Sequence, residues 1–479
     1  MDETSTAGFA GRTIWVLVFA GIVTTVMSTL VIPLLGELPE LLGTSPSNAS
    51  WVVTVTLLSG AVATPVTGRL GDMYGARRML LVCTIPLIAG SFLCALSSSL
   101  LPMLVGRALQ GAGFGIVPLG ISALRSLVPP ERLGSAIALM SSSLGIGGAL
   151  GLPLAAAVVQ FTNWRVLFWG VGILSVLVAV LIAWLVRDTP VPEKTGGFDV
   201  FGALGLSLAL VAVLLAVSKG GDWGWTSATV LTLFAVSVVV FLVWGRWELR
   251  AAAPLVDLRV ARGNRILVTN IVATLIGFSM YFQALLVPQI RMLPEATGYG
   301  LGQSMLVMGL WCAPAGLLMM AVSPVGARLT TIRGPRTTLW VGCLMMAVSY
   351  ASSVFLMDST WGLMAITCVI AAGIGLAYGA IPTLIMGAVP QDRISSANSV
   401  NTLLRSVGGT ASAAVAGVVL AQMSVGFAGT EVPTESGFLT GMLIGAASAL
   451  LAAAVTMALR TGDRADSGSA RPVASSSVR

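Results

Sequence analysis

The sequence predicts an all-α polytopic membrane protein: two six-helix bundles with two additional central transmembrane helices, fourteen in total. Three observations predict it. Only 9% of the 479 residues are charged, while 56% are hydrophobic. Apolar stretches of about 18 residues or more recur along most of the chain, each able to cross a ~30 Å hydrocarbon core at ~1.5 Å per residue. Two charged bends in the first part of the chain recur in the second at nearly one offset.

The first apolar stretch, from near residue 13, is too long for a signal-peptide core and has no cleavage site, so it reads as a retained helix. Five more spans begin near residues 49, 79, 101, 133 and 164. Two extra spans follow near 200 and 227, separated by "GDWGWTS" (221–227), an interfacial tryptophan anchor. The charged segment "RWELRAAAPLVDLRVARGNR" (246–265) is expected to rest in the headgroup region. The last six spans begin near 265, 301, 337, 360, 397 and 437. The tail beyond Arg460, rich in Ser, Arg, Ala and Gly, reads as disordered.

The bends organise this series. "RLGDMYGARR" (69–78) follows span two, and "RLTTIRGPR" (328–336) follows span ten, 259 residues later. "VPPERLGSA" (128–136) precedes span five, and "VPQDRISSA" (389–397) precedes span thirteen, 261 residues later. Such spacing implies a parallel repeat. The expected divisions are a first bundle over 1–186, a linker with two extra helices over 187–262, a second bundle over 263–460, and a tail over 461–479.

Charge sets the orientation. With both termini in the cytoplasm, only Arg165, Lys219 and Arg291 among the basic residues lie on the far side, and Arg107 and Arg405 lie within spans. The net charge of +7 comes without a basic run interleaved with aromatics, so nucleic acid is excluded as a partner. The chain has no histidine, and its five cysteines lack metal-ligand spacing, so neither a metal nor a cofactor is expected. No nucleophile–base constellation or Walker A sequence occurs, which argues against an enzyme and against nucleotide-driven transport.

In "GRLGDMYGARR" (68–78), Gly68, Gly71 and Gly75 are expected to shape a tight turn and close helix packing. Asp72 is placed to pair with an arginine or cap a helix, while Arg77 and Arg78 hold the loop in the cytoplasm. Arg107, within span four, must face a water-filled cavity or a buried partner, or else be tied to backbone carbonyls. Gln110 and Phe114 share its helix face. Arg405, about eight residues into span thirteen, is placed to snorkel to the cytoplasmic interface.

These motifs resemble the major facilitator superfamily. "GRLGDMYGARR" matches the signature between its second and third helices, and "LVGRALQGAG" (104–113) that of its fourth. The extra central spans, "PLVDLR" and "NTLLRSVGG" (401–409) look like its fourteen-helix drug:proton antiporter branch. The resemblance implies a gating latch between the bundles formed by the Asp72 motif, and a part for Arg107 in proton transfer. Span five departs from the branch. "GIGGALGLPLAAAVV" (145–159) keeps Gly145, Gly147, Gly148, Gly151 and Pro153 as a small-faced, bendable helix, but a later glycine pair has become alanine. Span one departs too, with Thr24 where the branch commonly has an aspartate.

No carboxylate falls near a bilayer midplane. Glu37, Glu40, Asp72, Asp222, Glu295 and Asp358 sit at ends or in loops. A buried cationic substrate needs a buried anion, so a neutral, zwitterionic or anionic amphiphile is expected. Residues available to line its cavity are Thr24, Thr25, Ser28, Phe114, Ser142, Asn270, Tyr281, Gln283, Trp311, Tyr378, Asn398 and Asn401. The expected function is export of a drug-like or antibiotic-like amphiphile by alternating access with proton antiport. A monomer in the bacterial plasma membrane is expected, with substrate, protons and the lipid bilayer as its partners. The alternatives are a proton-independent facilitator of a metabolite or lipid-like compound, and a non-transporting receptor on the same scaffold.

Overall fold

A computed structural model describes residues 3–34, 38–44, 46–49, 51–188, 197–252, 254–256, 264–389, 394–427 and 430–459. The tail over 461–479 and Glu37 lie outside these residues. Among these residues fourteen long helices follow one another. The first bundle holds α1 (Glu3–Thr29), α2 (Trp51–Tyr74), α3 (Ala76–Leu96), α4 (Leu100–Leu127), α5 (Pro130–Phe161) and α6 (Arg165–Leu185). Then come α7 (Val200–Trp223) and α8 (Ala228–Glu248). The second bundle holds α9 (Asn264–Met292), α10 (Met305–Arg333), α11 (Pro335–Ala351), α12 (Thr360–Met386), α13 (Ile394–Gln422) and α14 (Glu435–Met457). Thirteen are long and apolar enough to cross a membrane; α11 has 17 residues and is extended by a short helix at Ser353–Leu356.

The repeat is visible in the packing. In the first bundle α1 packs on α5 and α6, α2 on α4, and α3 on α4 and α6. In the second, α9 packs on α13 and α14, α10 on α12, and α11 on α12 and α14. The bundles meet at two seams that exchange under the repeat, α5 against α10 and α13 against α2. Small residues set the spacing. A Cβ on Gly147 would lie 2.9 Å from the Ile22 carbonyl oxygen of α1, and one on Gly408, 261 residues later, 2.0 Å from that of Thr274 in α9. Both helix pairs are therefore in backbone contact, which only glycine permits.

The bends at Gly75 and Gly334 also correspond, with φ of 91° and 85° in the region that favours glycine. This corrects the expected turn. Gly68, Gly71 and Asp72 lie inside the last turns of α2, and Gly75 alone reverses the chain. One residue of positive φ suffices, and the other two glycines are buried within the helix.

The pair α7 and α8 packs on α2 and α13 through α7, beside one inter-bundle seam. Leu206, Leu210 and Leu214 meet Ala61 of α2, Leu403 of α13, and Leu255 and Val256 in one apolar cluster. Glu248 is fully buried and accepts the Val256 N–H at 3.4 Å. This part of the 246–265 segment thus folds into the protein rather than resting among headgroups; residues 253 and 257–263 lie outside the description. A two-stranded antiparallel hairpin, β1 (Ser424–Phe427) and β2 (Thr430–Pro433), joins α13 to α14.

Candidate functional site

A cavity lies where the bundles meet, lined by α4 (Val117, Ile121), α5 (Ser141, Leu144), α12 (Tyr378, Ile381, Pro382) and α13 (Asn398, Asn401, Thr402, Arg405). Its lining obeys the repeat. Val117 and Tyr378, Ile121 and Pro382, Ser141 and Thr402, and Leu144 and Arg405 are each 261 residues apart. The cavity therefore sits on the axis relating the two bundles. At about 20 Å³ it holds roughly one water. A drug-sized site needs roughly 300–1,000 Å³, so the bundles must part before such a molecule enters.

One turn further along the same helices the bundles are joined. Arg125 Nη1 donates to the Met386 carbonyl oxygen at 3.1 Å, and these residues are again 261 apart. Ala138 of α5 packs beside Gly379 of α12, where an added Cβ would come within 3.2 Å. This closure lies on the side of the bends at Gly75 and Gly334.

Three of the expected cavity residues, Tyr378, Asn398 and Asn401, come together here. Asn401 Nδ2 donates to Asn270 Oδ1 at 2.9 Å, tying α13 to α9. Tyr378 donates its hydroxyl to Met280 Sδ at 3.0 Å. Asn398 is 3% exposed, and its Nδ2 has no hydrogen-bond acceptor among the described residues. Arg405, absent from the expected lining, places its guanidinium carbon 4.7 Å from the centre of the Tyr378 ring. Tyr281 packs behind it, on Gly409.

The remaining expected residues lie elsewhere. Thr24, Thr25 and Ser28 turn their hydroxyls back onto α1 carbonyls, at 2.8, 2.9 and 2.6 Å. Ser142 does the same with Ala138 at 2.8 Å. Phe114 packs on Gly60 of α2. Gln283 is half-buried on α9. Trp311 forms a T-shaped pair with Trp361, centroids 4.8 Å apart, and stands 6.0 Å from the Arg291 guanidinium near the opposite end of the second bundle.

Helix α5 is the shared wall of the first bundle and the seam. Gly147 and Gly151 face α1, Gly145 abuts Met319 of α10, and Pro153 meets Gly309 of α10. A Cβ on Gly148 would meet nothing within 4 Å. The helix runs unbroken through Pro153 and the alanines that replace the expected glycine pair.

Arg107 is 1% exposed and held inside the first bundle. Nε donates to the Val52 carbonyl oxygen at 3.2 Å, and Nη1 to the Met27 carbonyl oxygen at 3.2 Å and to Gln110 Oε1 at 2.8 Å. Gln110 Nε2 continues to Ser91 Oγ at 2.9 Å. One guanidinium thus links α1, α2, α4 and, through Gln110, α3, which is the carbonyl-bonded arrangement among those the sequence allowed. Asp72 is 7% exposed and engaged rather than free. Arg77 bridges to Asp188 Oδ1 at 2.8 Å and donates to the Ala183 carbonyl oxygen at 2.7 Å. These contacts tie the bend to the end of α6, within one bundle rather than between two. Glu295 lies in a turn beside Gly302, far along the chain from any cavity helix face. Among the described residues no group of three or more His, Cys, Asp or Glu is placed to hold a metal.

Two bundles related by a repeat, meeting around a closed cavity, define a membrane transporter architecture. The chain belongs to the Major Facilitator Superfamily, whose family model matches residues 17–413. It is 29% identical over 411 residues to the uncharacterized MFS-type transporter Rv1877 of Mycobacterium tuberculosis. That match covers 84% of this chain but only 58% of the relative, so the chain spans less than two thirds of that relative's length. It is 28% identical over 435 residues to the tetracenomycin C resistance and export protein of Streptomyces glaucescens, covering 88% of this chain and 78% of the other. The crystal structure of the human organic anion transporter MFSD10 shares the fold, with a TM-score of 0.66 at 15% identity over 93% of this chain and 99% of that one.

Proposed function

We propose that this chain is a secondary active exporter of small amphiphiles, neutral, zwitterionic or anionic, working by alternating access with proton antiport. The cavity on the repeat axis carries the reading, because both bundles line it and its present size demands that they move apart. Relatives named for resistance and export, including the tetracenomycin C protein and the Escherichia coli protein named a probable multidrug resistance protein, support the direction and the substrate type. In this reading α11 is the fourteenth span. The side of Gly75 and Gly334, where the described arginines gather, faces the cytoplasm of a bacterium along with both termini. The Arg125–Met386 hydrogen bond then closes the cytoplasmic entrance. Asp72, buried in α2 beside the bend, would act in the gate, and Arg107 would act in coupling through the helices it links.

Purified protein in sealed proteoliposomes tests this, with cationic, neutral and anionic amphiphiles loaded in turn, with and without an imposed pH gradient. The expected result is gradient-driven flux of the neutral or anionic compounds with proton counterflow. Flux of a neutral or anionic compound that ignores the gradient would favour the facilitator instead. Flux confined to quaternary cations would overturn the substrate reading.

A further inference from the structure

The repeat makes the two walls of the cavity comparable residue by residue, and they differ in one direction. Where the first bundle has Val117, the second has Tyr378; where it has Leu144, the second has Arg405. The same offset of 261 sets Ile137 against Asn398 and Met140 against Asn401. Backbone geometry has been kept while the second bundle's face has become polar. The result is a cavity whose α4 and α5 wall is apolar apart from Ser141, and whose α12 and α13 wall bears the donors.

The donors on that wall have no acid to meet. Among the described residues Arg405 makes no side-chain hydrogen bond or ion pair; its guanidinium stands over the Tyr378 ring, with Tyr281 nearby. Asn398 Nδ2 is buried without an acceptor. No lining residue is a carboxylate. Arg405 is half-buried, so its guanidinium reaches the cavity, while the Asn398 amide is buried and an N–H left there without a partner is costly. Both are met by one kind of guest, an anionic group that takes two hydrogen bonds at once.

We propose that Arg405 and Asn398 form the head-group subsite for the acid group of an anionic amphiphile, with its apolar body against Val117, Ile121 and Leu144. The inference rests on the export reading for its setting and narrows it to one substrate class and one wall. Residues 398, 401 and 405 lie on one face of α13. Gly277 lets α9 come against the Arg405 backbone, where a Cβ would lie 2.1 Å from its carbonyl oxygen, and so fixes the helix that presents the guanidinium.

The test is binding to the full chain in nanodiscs of zwitterionic lipid, with empty discs subtracted. Anilinonaphthalene sulfonate and phenylnaphthylamine serve as probes, since they share an aromatic frame and differ by the sulfonate. The parent should bind the sulfonate at least about tenfold more tightly than the amine, ~1.4 kcal/mol. Arg405→Gln should collapse that ratio toward one, and Arg405→Lys should restore part of it. Should Arg405→Gln fail to fold, Asn398→Asp supplies a second reading: its carboxylate would occupy Arg405 and abolish the preference. A parent ratio near one, or a ratio unchanged in Arg405→Gln, would overturn the proposal and leave Arg405 as a structural cation on Tyr378. Absence of flux in proteoliposomes, with the binding ratio intact, would instead sink the export reading and leave the anion subsite standing.

Discussion

Gly90→Ala should destabilise the first bundle although it adds a single methyl group. A Cβ at Gly90 of α3 would lie 2.4 Å from the Gly106 carbonyl oxygen and 2.8 Å from the Gln110 nitrogen of α4. Both obstacles are backbone, so no rotamer can yield, and α4 must retreat by about 1 Å to regain ordinary contact. That shift moves Arg107 away from α1 and α2, whose carbonyl oxygens it reaches at 3.2 Å, near the limit of a hydrogen bond. Overpacking costs about 1–3 kcal/mol, and loss of hydrogen bonds to a charged group about 1.5–3 each. Against this stands a gain of about 1 kcal/mol in helix propensity, leaving a net loss of roughly 1.5–5 kcal/mol with one of the two bonds lost and roughly 3–8 kcal/mol with both. The assay is thermal unfolding of purified protein in one detergent, beside Gly170→Ala in α6, where an added Cβ meets nothing within 4 Å. Gly90→Ala should melt several degrees below the parent, and Gly170→Ala at or above it. A Gly90→Ala melting point equal to the parent's would refute the claim that this crossing is closed by backbone contact.

Three further outcomes follow from the same geometry. Arg107→Lys keeps the charge but cannot reach two carbonyls and Gln110 Oε1 together, so its melting point should fall despite the conserved charge; an unchanged melting point would show that the fork is dispensable. Arg77, by hydrogen bond and by charge, holds the Asp188 carboxyl below its usual range. A lowered folded-state value stabilises above the unfolded value and is lost as pH falls through the folded one. The difference in melting point between parent and Asp188→Asn should therefore be constant from about pH 7 to 5, begin to shrink near the unfolded value of about 4, and vanish only below the lower folded value. Gly309→Leu drives a side chain into Pro153, whose Cα would be 3.0 Å from the new Cβ, and should wedge the α5·α10 seam. Flux in proteoliposomes should fall at least about tenfold while the protein stays monodisperse; Gly417→Leu on α13, with open space around it, should not do so.

The helices were legible because each is an apolar run, and all starts but one fall within four residues of expectation, as with 51 against 49 and 305 against 301; α1 begins at Glu3, ten residues before the apolar stretch that marked it. The repeat was legible in its two charged bends. Applied to α5 and α13, the 261 offset pairs Leu144 with Arg405 and exposes the polar wall from the sequence alone. The spacing of Asn398, Asn401 and Arg405 on one helical face was a further sign. Other features leave no such trace. A hydroxyl in an apolar span can face a cavity or bond its own helix, and Thr24, Thr25 and Ser28 all do the second. Three glycines near a bend do not reveal which one turns, and strands of four residues such as "SVGF" (424–427) are too short to show a period.

The two intramembrane arginines illustrate how a repeat divides labour. Arg107 is satisfied inside its own bundle, by carbonyl oxygens of two neighbouring helices and by Gln110, so its charge joins four helices into a body that can move as one. No charged residue occurs anywhere in α12, the counterpart of the helix that carries Arg107. Arg405 has the opposite circumstance. It stands at the boundary between the bundles, opposite Leu144, with its guanidinium over the Tyr378 ring and no side-chain hydrogen bond or ion pair among the described residues. A charge satisfied within a rigid body is indifferent to how that body rocks. A charge on the boundary changes its surroundings with every movement of the seam. In the proposed export cycle, rocking that parts α5 from α13 would admit water and weaken the grip of Arg405 on an anion, while closure would remove water and strengthen it. The position of the boundary would thereby set affinity, the coupling between binding and movement that alternating access requires.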